Sequence, residues 1–387
     1  RRSFQQLIDR HEALRTSFEL TGAGVIQKIN KVVTFEMEMS AGEMYGSVAE
    51  AFDDFIRPFD LSARSLMRCS LYRQGKFRLL FIDIHHIIAD AASLNILIDD
   101  YRKIYFGEAL PPLEYRYVDY TSSLHNSEER SRSQRLFWQK TLAGRLPRVD
   151  LPLKQSRDTA NVRKVAYIEM ILEGQPYLNI KDAARACGVS DYMLFLSAYY
   201  VLLSRLSGNE EIIIGTEALG RTNPLLKDIV GTFVNVLPLR LQLDPAARYE
   251  DFLQTIKTMV LEAFENQDFQ FDEMVSLAEK DDEPGRNPIF DFYFSYTDAE
   301  YDEAFDELEF APVEIRKLIK GEYEFTVRIA GGKNKASLCF IYSTDLYDEE
   351  TIRVMMHYYQ NILRSAADDQ RVLIEDIDME QALQQVP

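Results

Sequence analysis

Cysteine is scarce in this sequence: Cys69, Cys187 and Cys339 are odd in number and far apart. That excludes a disulfide framework, and the lack of any C-x-x-C pair or Cys/His cluster excludes the common metal spacings, so no metal is expected. Histidine is nearly as rare, with five residues, and Trp138 is the single tryptophan. No apolar run approaches the ~20 residues that a membrane helix needs, and no signal-peptide pattern opens the chain, so a reducing cytoplasm is the expected setting. Positive charge is also in short supply: 44 basic against 62 acidic side chains give a net charge of −18. A field of that sign repels phosphate backbones and anionic lipid headgroups, which argues against nucleic acid and membrane surfaces as partners. Acidic blocks such as EKDDE at 279–283 read as solvated surface.

What remains is an ordinary globular balance, 46% hydrophobic and 27% charged, with nothing that reads as disordered. A length of 387 residues exceeds one small core and predicts two units or two joined lobes. The Pro- and Arg-containing run at 146–161 marks the break, giving an N-terminal lobe at 1–150 and a C-terminal lobe at 151–387. The chain opens at Arg1-Arg2, without Met and within a helical pattern, which points to a segment of a longer polypeptide.

Residues 4–18 place Phe4, Leu7, Ile8, His11 and Leu14 on one helical face. From 66 to 84 the pattern turns to strands, with Gln74-Gly75 as the hairpin turn. HHIIADAAS (85–93) follows at once and leads into a helix whose stripe is Leu94, Leu97, Ile98, Tyr101 and Tyr105. Residues 106–162 read as irregular except for a helix around 131–142. Further on, a strand is expected at 164–172 and a polar helix at 179–187. Ser190 then caps an apolar, buried helix, and a short buried strand follows at 211–216. The remaining expectations are a helix at 249–265, strands at 289–297, a hairpin at 324–342 turning at Gly331-Gly332, and a helix at 349–365. Strands and helices mix without a strict βαβ rhythm, so the fold class is α/β with mixed sheets.

Chemistry is concentrated at His85-His86, with Asp90 four residues after the second. On an extended strand neighbours point to opposite faces, which puts His86 with Leu80, Ile82 and Ile84, and His85 with Phe81 and Asp83. One imidazole is then free for catalysis and the other for structure. A half-buried strand end with both rings hydrogen-bonded is the alternative. Zinc is disfavoured, because adjacent strand histidines diverge and no third ligand is near.

HHIIADA resembles the HHxxxDG motif of the superfamily that holds condensation domains, epimerization domains and chloramphenicol-acetyltransferase-like acyltransferases. RHEALRTSF (10–18), FIRPFDLSARSLMR (55–68) and YVDYTSSL (117–124) are similar to further condensation-domain motifs. So is IGTEALGRTNPLLKDIVGTFVNVLPLR (214–240), with Gly215, Arg221, Gly231, Phe233, Val234, Asn235 and Arg240 in place. ENQDFQFDEMV (265–275) and GRNPIFDFYFSY (285–296) come next in the same order. The resemblance covers essentially the whole chain, to the condensation domains of non-ribosomal peptide synthetases. Two departures stand out: Ala91 replaces the family's glycine after the aspartate, and the family's most N-terminal strand and motif are missing.

The resemblance implies two acetyltransferase-like lobes in a V-shaped pseudo-dimer around a central tunnel. It implies an acyltransferase that joins a donor acyl thioester to an acceptor aminoacyl thioester through an amide bond. Donor and acceptor peptidyl carrier proteins and a neighbouring adenylation domain are the implied partners. The phosphopantetheine arms arrive with the carriers, so the domain needs no cofactor of its own. His86 is the implied catalytic residue and His85 a structural one. Asp90 is expected in a buried ion pair that shapes the loop, with Arg221 as partner and Arg240 or Arg286 as alternatives. Ala91, Ala92, Ser93, Gly215 and Asn235 are expected along the tunnel. Three other readings stay open: an epimerization-type domain, an inert carrier-recruitment domain, and an acyltransferase using a soluble amine.

Overall fold

A computed structural model of the chain describes residues 1–22, 24–39, 47–74, 77–125, 128–151, 164–279, 286–298 and 323–380. Contacts group it into two units, Arg1–Ser131 with Leu219–Val234, and Arg132–Ala218 with Asn235–Pro387. These units do not follow the sequence break at 150/151. The indole of Trp138 is buried in the second unit's core and donates to the Asn266 carbonyl at 2.9 Å, which carries its helix into that unit. Leu219–Val234 meanwhile folds back onto the first.

In the first unit, α1 (Arg2–Arg10) precedes a short 3-10 turn (Glu12–Arg15) and a hairpin of β1 (Thr16–Thr21) and β2 (Gly24–Ile29). The helix expected over 4–18 is therefore cut short, because His11 takes an extended backbone and opens the turn. All five residues of its expected face are buried nonetheless. A three-stranded sheet comes next: β3 (Glu38–Met39), β4 (Met67–Gln74) and β5 (Phe77–Ile84), with α2 (Val48–Phe55) between the first two. The β4–β5 pair is antiparallel, as the pattern required, and the expected turn at Gly75 lies outside the described residues. One sheet face carries Leu80 and Ile84 into the cluster of Phe4, Ile8, Leu14 and Leu97, while the other packs Tyr72 and Phe81 on Phe55 of α2.

Helix α3 (Ala91–Tyr105) buries Ser93, Leu97 and Asp100, with Ile96, Tyr101 and Ile104 partly covered. The expected stripe is thus rotated: Leu94 and Tyr105 are 42% and 65% exposed. Two polar anchors turn the helix. Ser93 Oγ donates to the Gly231 carbonyl at 2.7 Å, and Asp100 Oδ2 binds His11 Nε2 and Arg10 Nε, both at 2.9 Å. Burial alone would raise the Asp100 carboxyl, but His11 and Arg10 outweigh it and hold it below the usual value. Helix α4 (Tyr117–His125) was not expected, since 106–162 read as irregular apart from α5 (Glu128–Thr141). Its aromatic residues are held by tertiary packing: Tyr117 and Tyr120 close on Leu226, Ile229 and Phe233.

The second unit is a six-stranded mixed sheet in the order β6-β11-β10-β9-β7-β8. Its strands are β6 (Val165–Glu173), β7 (Glu211–Ala218), β8 (Asn235–Gln242), β9 (Phe292–Asp298), β10 (Phe325–Gly331) and β11 (Lys335–Ser343). Helices α6 (Gly174–Ala186), α7 (Asp191–Ser207), α8 (Tyr249–Glu265), α9 (Phe271–Leu277) and α10 (Glu349–Asp368) complete it. Helix α6 starts earlier than expected, directly at the end of β6. Ser190 caps α7 by accepting from Met193 N, and Gly208 closes it at φ 74°, where a side chain would be strained. From Met193 to Ser204 every residue of α7 is buried, each large apolar side chain contributing about 1.5–3 kcal/mol. Among the described residues, no single helix is long and apolar enough to cross a membrane.

Candidate functional site

The site grows from the end of β5. The strand stops at Ile84, and His86–Ile88 forms one 3-10 turn, so the strand alternation expected to separate the two histidines does not run through His86. The turn separates them instead. His85 caps it: Ile87 N donates to its Nδ1 at 3.0 Å, and its ring stands edge-on to Phe59 at 5.8 Å. His86 is exposed, and its ring has no hydrogen-bond partner among the described residues. Its backbone is held, because its carbonyl accepts from Thr232 Oγ1 at 2.5 Å and from Ala89 N.

Asp90 is 1% exposed and organises the entry into α3. Its Oδ1 accepts the Ser93 N–H at 2.8 Å, capping α3, and the Arg221 Nη2 at 3.1 Å. Its Oδ2 accepts the Phe233 N–H at 3.0 Å, and its own N–H donates to the Gly231 carbonyl. Arg221 also donates to the carbonyls of Leu226 and Ile229, both at 2.7 Å, and to Ser93 Oγ at 2.9 Å. The Phe233 ring lies 4.0 Å from the guanidinium centre. Ser93 Oγ also accepts the Gly231 N–H at 3.0 Å. One carboxylate thus ties the start of α3 to the returning segment Leu219–Val234, and the pair is the Asp90–Arg221 pair that the sequence suggested. The alternatives are engaged elsewhere: Arg240 with Glu211 at 2.8 Å and Arg286 with Asp291 at 2.6 Å.

Two glycines let the returning segment come this close. A Cβ on Gly231 would stand 2.2 Å from the Tyr117 ring, and Gly220, at φ +66°, has the Phe233 carbonyl where a Cβ would be. Tyr117 OH donates to the Thr232 carbonyl at 2.7 Å. Burial pushes that hydroxyl up to about 12, and the Asp90 charge acts in the same direction, so it stays a donor.

Ala91 is exposed in the first turn of α3, Ala92 is half-buried beside it, and neither has a positive φ. Gly215 and Asn235 belong to the second unit. Gly215 makes room for Phe290, whose ring would meet a Cβ at 2.1 Å. Asn235 Nδ2 donates to the carbonyls of Gln267 and Phe269, and its Oδ1 accepts from Phe271 N and Val236 N. Both geometries are those of packing. The contributions of Thr232 and of the Ser93 hydroxyl to the lock were not foreseen. An Asp three residues before a Ser at a helix start is the signal for the cap, but no sequence signal announces Thr232. Among the described residues, no group of three or more His, Cys, Asp or Glu side chains is placed to hold a metal ion.

An exposed histidine at a strand end and a buried aspartate locked to a distant arginine are what the HHxxxDG-like segment HHIIADA builds in this chain. The comparisons narrow this: the Condensation domain family model matches residues 1–385, and the chain belongs to that family. Gramicidin S synthase 2 of Aneurinibacillus migulanus is 34% identical over 385 residues, covering 97% of this chain and 9% of the relative. Tyrocidine synthase 2 of Brevibacillus parabrevis is 32% identical over 383 residues, covering 97% and 11%. The chain therefore spans about a tenth of the length of these curated relatives. Among solved structures, the four-domain nonribosomal peptide synthetase holo-AB3403, bound to AMP and glycine, has a TM-score of 0.85 at 20% identity, covering 98% of this chain and 30% of that one. The X-domain from teicoplanin biosynthesis gives 0.84 at 21%, covering 97% and 88%. The epimerization domain of tyrocidine synthetase B gives 0.75 at 18%, covering 95% and 89%. The fold is that of the condensation domains, and it is shared across these activities.

Proposed function

We propose that this domain forms an amide bond between a donor acyl or peptidyl thioester and an acceptor aminoacyl thioester, each carried on the phosphopantetheine arm of a peptidyl carrier protein, next to an adenylation domain, in the cytoplasm. The observation that carries this reading is the exposed imidazole of His86, without a hydrogen-bond partner among the described residues, on a turn whose backbone is held, four residues before the buried Asp90 that pairs with Arg221. The reaction makes modest demands. The thioester is already activated, and an α-amino group with a pKa near ~8 is partly neutral at pH 7. Holding amine and carbonyl in attack geometry supplies most of the rate. As the C–N bond forms, the amine's proton passes to His86, the C–S bond breaks, and the proton leaves with the carrier thiol. The N–H groups of Ala91 and Ala92, which a helix start leaves unpaired, would face the developing oxyanion. Asp90, Arg221, Ser93 and His85 hold this arrangement without touching substrate.

The inert recruitment reading rests on Ala91 standing in the family's glycine position. Its exposed place in an unstrained helical turn weighs against that reading, because a methyl group there costs no strain. The test is reconstitution with loaded donor and acceptor carriers, read by intact-protein mass spectrometry. Transfer of the donor mass to the acceptor carrier is the expected result. Its absence with every loaded pair, while both carriers remain charged, would overturn the reading. Inversion of a carrier-bound residue without transfer would point to epimerization.

A further inference from the structure

Helix α5 presents a face that the fold does not use. Gln134 and Trp138 turn inward, and the opposite side exposes Arg132, Arg135, Leu136, Gln139 and Lys140. Arg132, Leu136 and Lys140 recur at i, i+4 and i+8, with Arg135 and Gln139 alongside, so they form one stripe. Leu136 is 58% exposed at its centre. The half-buried and buried cations at the chain's structural joints are paired: Arg10 with Asp100, Arg68 with Asp83, Arg221 with Asp90, Arg240 with Glu211 and Arg286 with Asp291. Arg132, Arg135 and Lys140 have no carboxylate partner among the described residues. Three unpaired cations around an apolar side chain, against the exposed carboxylate of Glu129 at the start of the helix, leave a net positive patch in a chain of net charge −18.

We propose that this face of α5 docks a carrier protein through a surface that presents carboxylates around an apolar side chain. The occupant is set by complementarity: the cations select an acidic protein surface, and Leu136 supplies the apolar centre such contacts are built on. A nucleic acid would meet the same cations but would leave Leu136 unused and feel the repulsion of the remaining acidic surface. The assignment rests on the proposed carrier-dependent reaction and adds where one carrier binds.

The experiment replaces Arg132, Arg135 and Lys140 together by Glu and measures steady-state condensation with each loaded carrier. It is repeated with N-acetylcysteamine thioesters of the same acyl groups, which have no carrier to dock. KM for one carrier should rise about 10-fold or more, with kcat and the thioester rates unchanged, and added salt should weaken the native carrier KM more than the variant's. Unchanged KM for both carriers would overturn the docking assignment, and so would an equal loss with the small thioesters. Binding of each carrier by calorimetry runs in parallel. If the native chain binds a carrier yet never condenses, the functional reading fails while docking stands. If the triple variant does not fold, the corresponding Gln substitutions give the same direction with a smaller change, and normal carrier KM in those would equally refute the proposal.

Discussion

Replacing Asp90 by Asn removes one charge and reverses one hydrogen bond. The remaining oxygen still accepts the Ser93 N–H, but the new amide points a donor at the Phe233 N–H, and Arg221 loses its carboxylate. Removing one partner of a buried ion pair costs about 3–5 kcal/mol. The bonds from Arg221 to Leu226, Ile229 and Ser93 persist and place the cost at the lower end. That is about a hundredfold or more in the folding equilibrium of the first unit, and a melting shift of about 6–12 °C for a unit of roughly 150 residues. Trp138 sits in the second unit's core, so its fluorescence is the wrong probe. Hydrogen exchange of peptides from α3 and from Leu219–Val234, with calorimetry, reads the right region. Exchange should speed up in both segments together, because one carboxylate holds both. An Arg221→Gln variant and the double variant complete a cycle with a coupling of about 0.5–3 kcal/mol. Native melting and native exchange in an inactive Asp90→Asn would refute the structural role and place the carboxylate in the chemistry.

His86→Ala should lower condensation about a hundredfold with unchanged melting, while His85→Ala, which loses the cap on Ile87 and the edge contact with Phe59, should lose about 0.5–2 kcal/mol of stability; equal rate losses with unchanged melting in both would sink this division. Ala91→Gly should keep turnover and make it faster or tolerant of bulkier donors, measured with matched loaded carriers; rescue by glycine of a dead native domain would reverse the assignment. Glu217→Gln tests a buried carboxyl of the second unit that takes a 2.6 Å bond from Ser295 and whose pKa burial raises. Its folded pKa lies above the unfolded one, so the native chain binds the proton more tightly and loses stability as pH rises from the ordinary glutamate range through the folded value. The urea midpoint of Gln, read at Trp138, should pull ahead of the native one as pH rises, and a gap independent of pH would refute the assignment.

Much of this fold was legible because local pattern and tertiary demand agree. Helix α7 announces itself by a Ser190 cap, Gly208 as its stop and an unbroken apolar body, and burial on all sides rewards that sequence. Helix α8 and the β10–β11 hairpin are similarly self-consistent. The failures lie where a long-range contact decides. The α3 stripe was rotated by Ser93 and Asp100, whose partners Gly231 and His11 are far away in sequence. Helix α4 depends on Leu226, Ile229 and Phe233, a hundred residues on, and nothing local signals it. At the site, the family resemblance proposed His86, Asp90 and Arg221, and the last two are paired in the structure, but strand periodicity gave the wrong reason for separating His85 from His86. A 3-10 turn separates them, and periodicity cannot see the point where a strand stops.

The proposed division between the two histidines has a physical basis in the turn that holds them. A reaction that relies on positioning needs its base held to within about half an ångström, yet a base needs a ring nitrogen free to take a proton. The turn meets both demands by separating backbone from side chain. The His85 N–H donates to Leu66 O, and the His86 carbonyl is bound by Thr232 and Ala89, so the chain on either side of the pair is fixed. The His85 ring is spent on that fixing, through Ile87 N and Phe59. The His86 ring is left without a hydrogen-bond partner among the described residues. Thr232 is in turn placed by the segment that the Asp90 carboxylate and the Arg221 guanidinium draw in. The aspartate therefore bears on the geometry of a histidine it never touches, and disturbing the lock should act on the rate through the position of His86.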